Sequence, residues 1–145
     1  METVNLGIVG IGNMGSIHAQ SIIDGKIPRC KLTAVCDPKP ETLNRFSSAE
    51  AFLSVDDFLR SSETDAVLIA TPHYSHTILG IQTLESHRHL LVEKPISVHK
   101  SDAERLIAAH RGSEQVFAAM FNQRTDPFFL KLRQSMKDGH RFAPR

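Results

Sequence analysis

The sequence lacks tryptophan, and its 145 residues include one tyrosine and only two cysteines. An excess of charge of one sign is also missing, because 17 lysines and arginines are balanced by 16 aspartates and glutamates, for a formal net charge of +1. This balance argues against the basic surface that nucleic acid or anionic membranes require, so neither is a predicted partner. No apolar run approaches the roughly 18 residues of a membrane span, and the N-terminus lacks a signal-peptide pattern. We therefore expect a cytoplasmic location.

The two cysteines, Cys30 and Cys36, lie six residues apart in one stretch that is predicted to be a strand. In an extended chain this separation is far beyond the reach of a disulfide. Reduced thiols that pack in the core of a cytoplasmic protein fit this placement. Among the eight histidines only His87 and His89 form a tight pair, without cysteines or carboxylates in metal spacing. We therefore predict no metal site.

The order of apolar segments predicts the fold. The length suits one well-buried domain but not two of ordinary size. The predicted strands are residues 6–9, 32–36, a short one near 51–53, 66–70, 90–92 and 116–120. Strands that are apolar throughout and alternate with helices predict a parallel sheet that is buried on both faces. The predicted fold class is α/β, a doubly wound (Rossmann) parallel sheet with its ligand outside the carboxyl ends of the strands.

Two helix starts have recognisable capping residues. Ser101 followed by Glu104 forms a capping box at the start of a predicted helix, and Gly112 lies just past its predicted end. Near the C-terminus, Asp126 and Pro127 predict another start, and Gly139 predicts the end of that helix.

A glycine-rich turn follows the first predicted strand. Its sequence is Gly10-Ile11-Gly12-Asn13-Met14-Gly15, and a helical segment comes next. In G-x-G-x-x-G, the first glycine allows a tight turn, the second lets backbone approach a pyrophosphate, and the third lets the helix pack on the strand. Asp37 ends the second strand, where an acid that binds ribose belongs. The pairing predicts a dinucleotide site, and the alternative is a glycine-rich turn beside a helix-capping aspartate.

Polar residues also follow the later strands. They are Thr71-Pro72-His73-Tyr74-Ser75-His76, Glu93-Lys94-Pro95 and Asn122-Gln123-Arg124. Polar groups at the tips of several parallel strands are what a site on this fold requires. Each group has a structural alternative: Thr71-Pro72 as a strand break, His76 as a surface helix residue, and the Lys94 segment as an exposed charged turn.

With these residues the chain resembles the Gfo/Idh/MocA family of nicotinamide-dependent oxidoreductases, over about residues 4–135. The glycine turn with His18, then Asp37, Ala70-Thr71-Pro72 with His76, and Glu93-Lys94-Pro95 carry the resemblance. It implies these cofactor-binding residues: Gly10, Ile11, Gly12, Asn13, Met14, Gly15, Asp37, Ala70, Thr71, Pro72, His73, His76, Glu93, Lys94 and Arg124.

The resemblance also implies roles. The Lys94–Pro95 bond would be cis, and Lys94 would be catalytic, with its ammonium pointing at the nicotinamide and the reacting hydroxyl. A cation stabilises a developing alkoxide and can relay a proton. Glu93 would orient Lys94 or approach the ribose. Thr71, Pro72 and His76 would flank the nicotinamide ribose, and Arg124 would lie on the substrate side.

The expected cofactor is NAD(H). The carboxylate of Asp37 would accept hydrogen bonds from the ribose hydroxyls, and its charge would repel a 2′-phosphate. Lys39 and Arg45 lie nearby and keep NADP(H) as the alternative, since either could bind such a phosphate.

The domain organisation departs from the family. We predict residues 1–124 as the dinucleotide-binding domain, and 125–145 as a crossover helix and the truncated start of a missing substrate domain. In the family, that second α/β domain binds substrate, usually forms the dimer, and supplies an Asp-x-x-x-His pair for acid/base chemistry.

The function follows as an expectation. The family reaction moves a hydride between NAD(P) and a hydroxyl of a sugar, polyol or similar small substrate, and we expect this chain alone to be inactive. The alternative is a catalytically inactive cofactor-binding module, a truncated isoform or pseudoenzyme that acts through binding or a partner. Phe128, Phe129, Leu132 and Met136 would form an uncovered apolar patch, so self-association is expected.

Overall fold

The computed structural model describes residues 2–139. Its strands are β1 (Val4–Val9), β2 (Cys30–Cys36), β3 (Glu50–Phe52), β4 (Ala66–Ile69), β5 (His89–Val92) and β6 (Phe117–Ala119). Its helices are α1 (Asn13–Ile23), α2 (Pro40–Leu43), α3 (Val55–Ser61), α4 (His76–Glu85), α5 (Lys100–His110) and α6 (Pro127–Lys137).

All the strands pair in parallel, in the order β3-β2-β1-β4-β5-β6. The chain starts at the centre of the sheet, moves outward to β3, and crosses back to β4. The strand order therefore reverses between β1 and β4, and this is where an open sheet of this kind binds its ligand. The predicted doubly wound α/β fold is confirmed, and each predicted strand lies within two residues of an observed one.

Two apolar clusters cover the two faces of the sheet. On one face, Ala19 and Ile22 of α1 pack with Ile8 of β1. On the other face, Phe58 of α3 and Leu106 of α5 pack in the cluster that includes the strand residues Val9, Val67, Ile69 and Val92. Adjacent residues of one strand thus enter opposite cores, which is why these strands are apolar throughout. Each fully buried side chain of this kind stabilises the fold by about 1.5–3 kcal/mol.

Of the two predicted helix caps, one is confirmed and the other is wrong. The Asp126 side chain accepts hydrogen bonds from the N–H groups of Phe128 and Phe129 and caps α6, as predicted. The second predicted helix is present as α5, but the capping box at Ser101 is wrong, because α5 begins at Lys100 and has no side-chain cap. Glu104 pairs with Lys100 one turn earlier, at 3.4 Å between Oε1 and Nζ, so the expected capping box does not form.

The α6 helix is poorly covered by the rest of the described residues. None of its side chains is buried, and Phe128 and Met136 are 69% and 65% exposed. The boundary predicted at residue 124 stays a prediction. The prediction of a truncated start extends over residues 140–145, which lie outside the described residues.

Other features of residues 2–139 bear on the sequence-based expectations. Cys30 is half-buried, Cys36 is buried, and both thiols are free. Within this part of the chain no helix is long and apolar enough to cross a membrane. No group of three or more potential metal ligands occurs among the same residues.

Candidate functional site

The glycine turn links the C-terminal end of β1 to α1 at the reversal of strand order. Gly10 has φ of +91°, a conformation that side chains rarely allow. Its N–H donates to the carbonyl of Cys36 at 2.8 Å, and the N–H of Ala70 donates to Val9 at 2.8 Å. The turn is thus held between the ends of β2 and β4, and the tight turn predicted at Gly10 is confirmed.

The other two glycines of the turn have different surroundings. A Cβ at Gly15 would lie 1.9 Å from the carbonyl oxygen of Gly10, so only glycine lets α1 begin this close to β1. A Cβ at Gly12 would meet nothing within 4 Å, so this backbone faces open space. Gly12 is also the N-cap of α1, and no side chain caps the helix. The backbone N–H groups in the first turn of α1 therefore have no side-chain cap, and the backbone at Gly12 beside them is accessible. A helix start of this kind suits the binding of a pyrophosphate.

Asp37 joins the glycine turn to the residues after β2. Its buried carboxylate accepts a hydrogen bond from the N–H of Ile11 at 2.9 Å through Oδ2, and from the N–H of Lys39 at 3.0 Å through Oδ1. A cavity of about 520 Å³ lies beside it. The lining includes Gly12, Asp37 and Thr71. The predicted phosphate turn, the ribose acid and the end of β4 therefore surround one space.

Glu93 and Lys94 form the turn after β5, and their environments differ. Glu93 is only 5% exposed, so the alternative of an exposed charged turn is wrong for this residue. Its Oε1 lies 2.7 Å from Nε2 of His18, and its Oε2 accepts the backbone N–H of Lys94 at 3.0 Å. The Lys94–Pro95 bond is cis, as the resemblance implies. Glu93 therefore holds the backbone of Lys94, while the Lys94 side chain is exposed.

A second cavity, of about 400 Å³, lies in front of this turn. Lys94 and Arg124 both line it, together with the segment that follows β6. The guanidinium of Arg124 stacks over the ring of Phe121 at 4.9 Å. Two basic side chains thus border one space, and the position of Arg124 on the substrate side stays a prediction.

His76 does not lie where sequence reasoning put it. The residue is fully buried, its Nδ1 lies 2.9 Å from the carbonyl oxygen of Pro95, and its Nε2 lies 2.9 Å from that of Thr71. The expected contact with the nicotinamide ribose is wrong, because protein backbone occupies both ring nitrogens. The alternative of a surface helix residue is wrong as well.

The remaining predicted residues separate into lining and supporting positions. Ile11 supports the turn: its side chain is in the core and its N–H is bonded to Asp37. Asn13 and Met14 are exposed on the first turn of α1. Ala70, Thr71 and Pro72 line the larger cavity. His73 is exposed, and its ring lies edge-on to that of His76 at 5.6 Å between centroids.

Sequence reasoning gave no role to two residues of the site. His18 lies three positions after Gly15, so helical spacing places both on one side of α1. This spacing was the sequence signal that could have assigned His18 to the site. Ser75 lines the larger cavity, and its hydroxyl lies 2.7 Å from that of Thr71.

The thiol of Cys36 lines the same cavity in its neutral form. Burial raises its pKa to about 12, and the nearby carboxylates of Asp37 and Asp57 act in the same direction. The residue is therefore a packing thiol and not a nucleophile.

Known proteins resemble this chain in sequence and in fold. The sequence model of the Gfo/Idh/MocA group, an oxidoreductase family with an NAD-binding Rossmann fold, matches residues 4–121. Myo-inositol 2-dehydrogenase of Thermotoga maritima is 27% identical over 142 residues, which cover 94% of this chain and 41% of that enzyme. Inositol 2-dehydrogenase of Rhizobium meliloti is 30% identical over 142 residues, which cover 94% and 42%.

A solved structure extends the comparison to three dimensions. Scyllo-inositol dehydrogenase from Lactobacillus casei, with bound NAD(H) and scyllo-inositol, superimposes with a TM-score of 0.84 at 30% identity. The match covers 95% of this chain and 42% of that one. The chain therefore spans about two fifths of the length of these relatives.

Proposed function

Because this chain belongs to the Gfo/Idh/MocA family and contains its NAD-binding Rossmann fold, we propose that it is the cofactor-holding part of a polyol or sugar dehydrogenase. The observation that carries the proposal is the turn at Lys94. Glu93 holds the backbone of Lys94, and the Lys94 side chain borders a cavity shared with Arg124. The inositol dehydrogenases among its relatives favour a polyol as substrate.

The residues around the larger cavity would hold the dinucleotide. The accessible backbone at Gly12 and the uncapped start of α1 suit the pyrophosphate. The lone pairs that remain on the Asp37 carboxylate suit the hydroxyls of the adenosine ribose. Leu53 and Val55 also line this cavity and offer an apolar surface to the adenine.

Lys94 would act on the substrate hydroxyl. A bound nicotinamide supplies the site that accepts or gives the hydride. The Lys94 ammonium would bind the hydroxyl oxygen, stabilise the negative charge that develops on it, and relay its proton. Arg124 would orient the polyol through its other hydroxyls, since a guanidinium presents several donors in a fixed plane.

We propose that this chain on its own binds the cofactor without turnover. The 145-residue sequence contains no Asp-x-x-x-His pair. Lys94 could polarise a bound hydroxyl, but these 145 residues correspond to only about two fifths of the inositol dehydrogenases, and the remainder of those enzymes would be needed to hold a polyol near the cofactor. Positioning contributes on the order of 7–11 kcal/mol to such reactions, so its loss would take the rate below detection.

The test combines binding and turnover. NADH fluorescence titration should give saturable binding to the native chain, and Gly12→Val should weaken it. An inositol and sugar panel, followed at the nicotinamide absorbance band, should give no rate above the blank. No NADH binding by a folded chain would contradict the proposed cofactor role. Robust oxidation of any polyol would contradict binding without turnover and favour an active enzyme.

A cytoplasmic location remains part of the proposal. It rests on the free thiols of Cys30 and Cys36, which a reducing compartment would preserve.

A further inference from the structure

We propose that His18 and His76 are positioning residues that hold the Lys94 turn from opposite faces of the sheet. The inference rests on the proposed function only in assigning Lys94 to the reaction. We call this arrangement of His18 and His76 around the Lys94 turn the clamp, and it consists of contacts among described residues. Neither histidine touches the smaller cavity where Lys94 would act.

The first arm of the clamp comes from α1. This helix packs on the sheet face that contains Ala19 and Ile22. His18 projects from it to Glu93, and its side chain is 22% exposed. Nε2 of His18 lies 2.7 Å from Oε1 of Glu93, so the second carboxylate oxygen, Oε2, is aimed at the backbone N–H of Lys94.

The contacts of this arm also offset the free-energy cost of burying the Glu93 carboxylate. A buried Glu93 without partners would be unfavourable by several kcal/mol. Here one oxygen bonds to His18 and the other to Lys94, so the side chain has one preferred orientation. Because His18 belongs to the helix that begins at the glycine turn, the arm connects the proposed pyrophosphate site to the lysine turn.

The second arm comes from α4, which packs on the opposite face through Leu84. His76 is the first residue of this helix, and its ring bridges the carbonyl oxygens of Pro95 and Thr71. A carbonyl oxygen only accepts, so a ring N–H is the donor wherever one of these contacts is a hydrogen bond, and a neutral imidazole has one such N–H. This arm ties the residue after Lys94 to the end of β4.

The two arms together explain how an exposed lysine can have a defined position. Glu93 is held through its side chain and Pro95 through its carbonyl, so the backbone on both sides of Lys94 is anchored. The side chain extends from this anchored backbone and borders the cavity shared with Arg124. A clamp of this kind predicts that loss of either histidine changes the Lys94 backbone before it changes the rest of the sheet.

The experiment measures amide hydrogen exchange of Lys94 by NMR in the 145-residue chain, with NADH affinity and melting temperature recorded for each variant. His18→Leu removes the donor to Glu93, and His18→Gln restores an N–H group of similar reach. His110→Leu is the matched control, because Nε2 of His110 also bonds to a backbone carbonyl, that of Gln115 at 2.7 Å, but on α5.

We expect His18→Leu to speed exchange of the Lys94 amide about tenfold or more, the factor that a hydrogen bond to a charged group supplies. His18→Gln should recover most of the protection, and His110→Leu should leave it unchanged. His76→Leu should also speed exchange at Lys94. If His76→Leu fails to fold, His76→Gln, which keeps one donor group, provides the same comparison.

Two results would overturn the clamp. One is unchanged Lys94 exchange in folded His18→Leu or in the folded His76 variant. The other is faster exchange at Lys94 only in parallel with every amide of β5, which would indicate loss of stability. The proposed function fails independently, through absence of NADH binding by the native chain, and the exchange of Lys94 decides the clamp in either case.

Discussion

Oδ2 of Asp37 accepts a hydrogen bond from the backbone N–H of Ile11, at 2.9 Å. The carboxylate proposed to bind the adenosine ribose therefore also holds the glycine turn in place. A substitution at Asp37 changes two things, the charge near the ribose and the acceptor for a buried N–H. These effects have to be separated in any test of cofactor choice.

We predict that the chain prefers NADH to NADPH, because the charge of Asp37 repels a 2′-phosphate. Asp37→Ser and Asp37→Ala should shift the preference toward NADPH, because Lys39, which lines the same cavity, would bind the 2′-phosphate. Asp37→Asn is the matched control for the turn, since it keeps one acceptor oxygen and loses the charge. Fluorescence titration with both cofactors measures the ratio, and an NADPH affinity equal to or tighter than that for NADH in the native chain would reject this prediction.

Gly12→Val should abolish most cofactor binding while the fold persists. The added side chain enters space that is open in the structure and that the pyrophosphate would need. We expect NADH affinity to fall about tenfold or more, with Gly12→Ala intermediate and both melting temperatures close to native. Unchanged NADH affinity in Gly12→Val would show that the phosphates bind elsewhere.

Gly15→Val should instead destabilise the protein. Its Cβ would lie 1.9 Å from a backbone oxygen, so α1 or the end of β1 must move. Overpacking of this kind costs about 1–3 kcal/mol or more. Chemical denaturation measures the loss, and a Gly15→Val variant as stable as Gly12→Val would contradict the close approach of helix and strand.

The exposed apolar side chains of α6 should drive self-association. Phe128 and Met136 are among the most exposed apolar residues of the described chain, and contiguous patches of a few hundred Å² mark association sites. Light scattering should show species larger than a monomer or poor solubility for the native chain. Phe128→Gln combined with Met136→Gln should shift it toward monomer.

Ile78→Gln is the control for this prediction, because Ile78 is 58% exposed on α4, a different helix. It should not change the association state. A native chain that stays monomeric and soluble at every concentration would exclude association through α6.

Stability should fall as pH rises from about 9 to 12, in part through Cys36. Burial raises the pKa of this thiol from 9.0 to about 12 in the folded protein. The unfolded chain therefore loses the proton first, and rising pH favours unfolding in this window. Urea denaturation at several pH values measures the slope. The Cys36→Ala variant keeps every other titrating group, so its free energy of unfolding should fall less steeply with pH. An identical dependence on pH in both proteins would show that Cys36 does not contribute.

Several parts of the site could be predicted from the sequence because they depend on local rules. Gly10 needs a positive φ that few residues other than glycine adopt, and Asp126 caps a helix through N–H groups two and three residues away. Apolar strands that alternate with helices imply a parallel sheet, whose carboxyl ends all meet at one edge. That rule alone brings the glycine turn, Asp37 and Lys94 together.

The sequence by itself thus determined the α/β fold class, the strand positions to within two residues, and which polar segments share one edge of the sheet. Only the tertiary structure decided what those side chains do. Glu93 meets His18 across 75 positions of sequence, and His76 meets Pro95 across 19. Such contacts depend on how far each helix slides and rotates on the sheet, and this is set by the packing of both cores at once. Helical period could place His76 on α4, but burial against two carbonyl groups made it a support of Lys94 instead of a ligand.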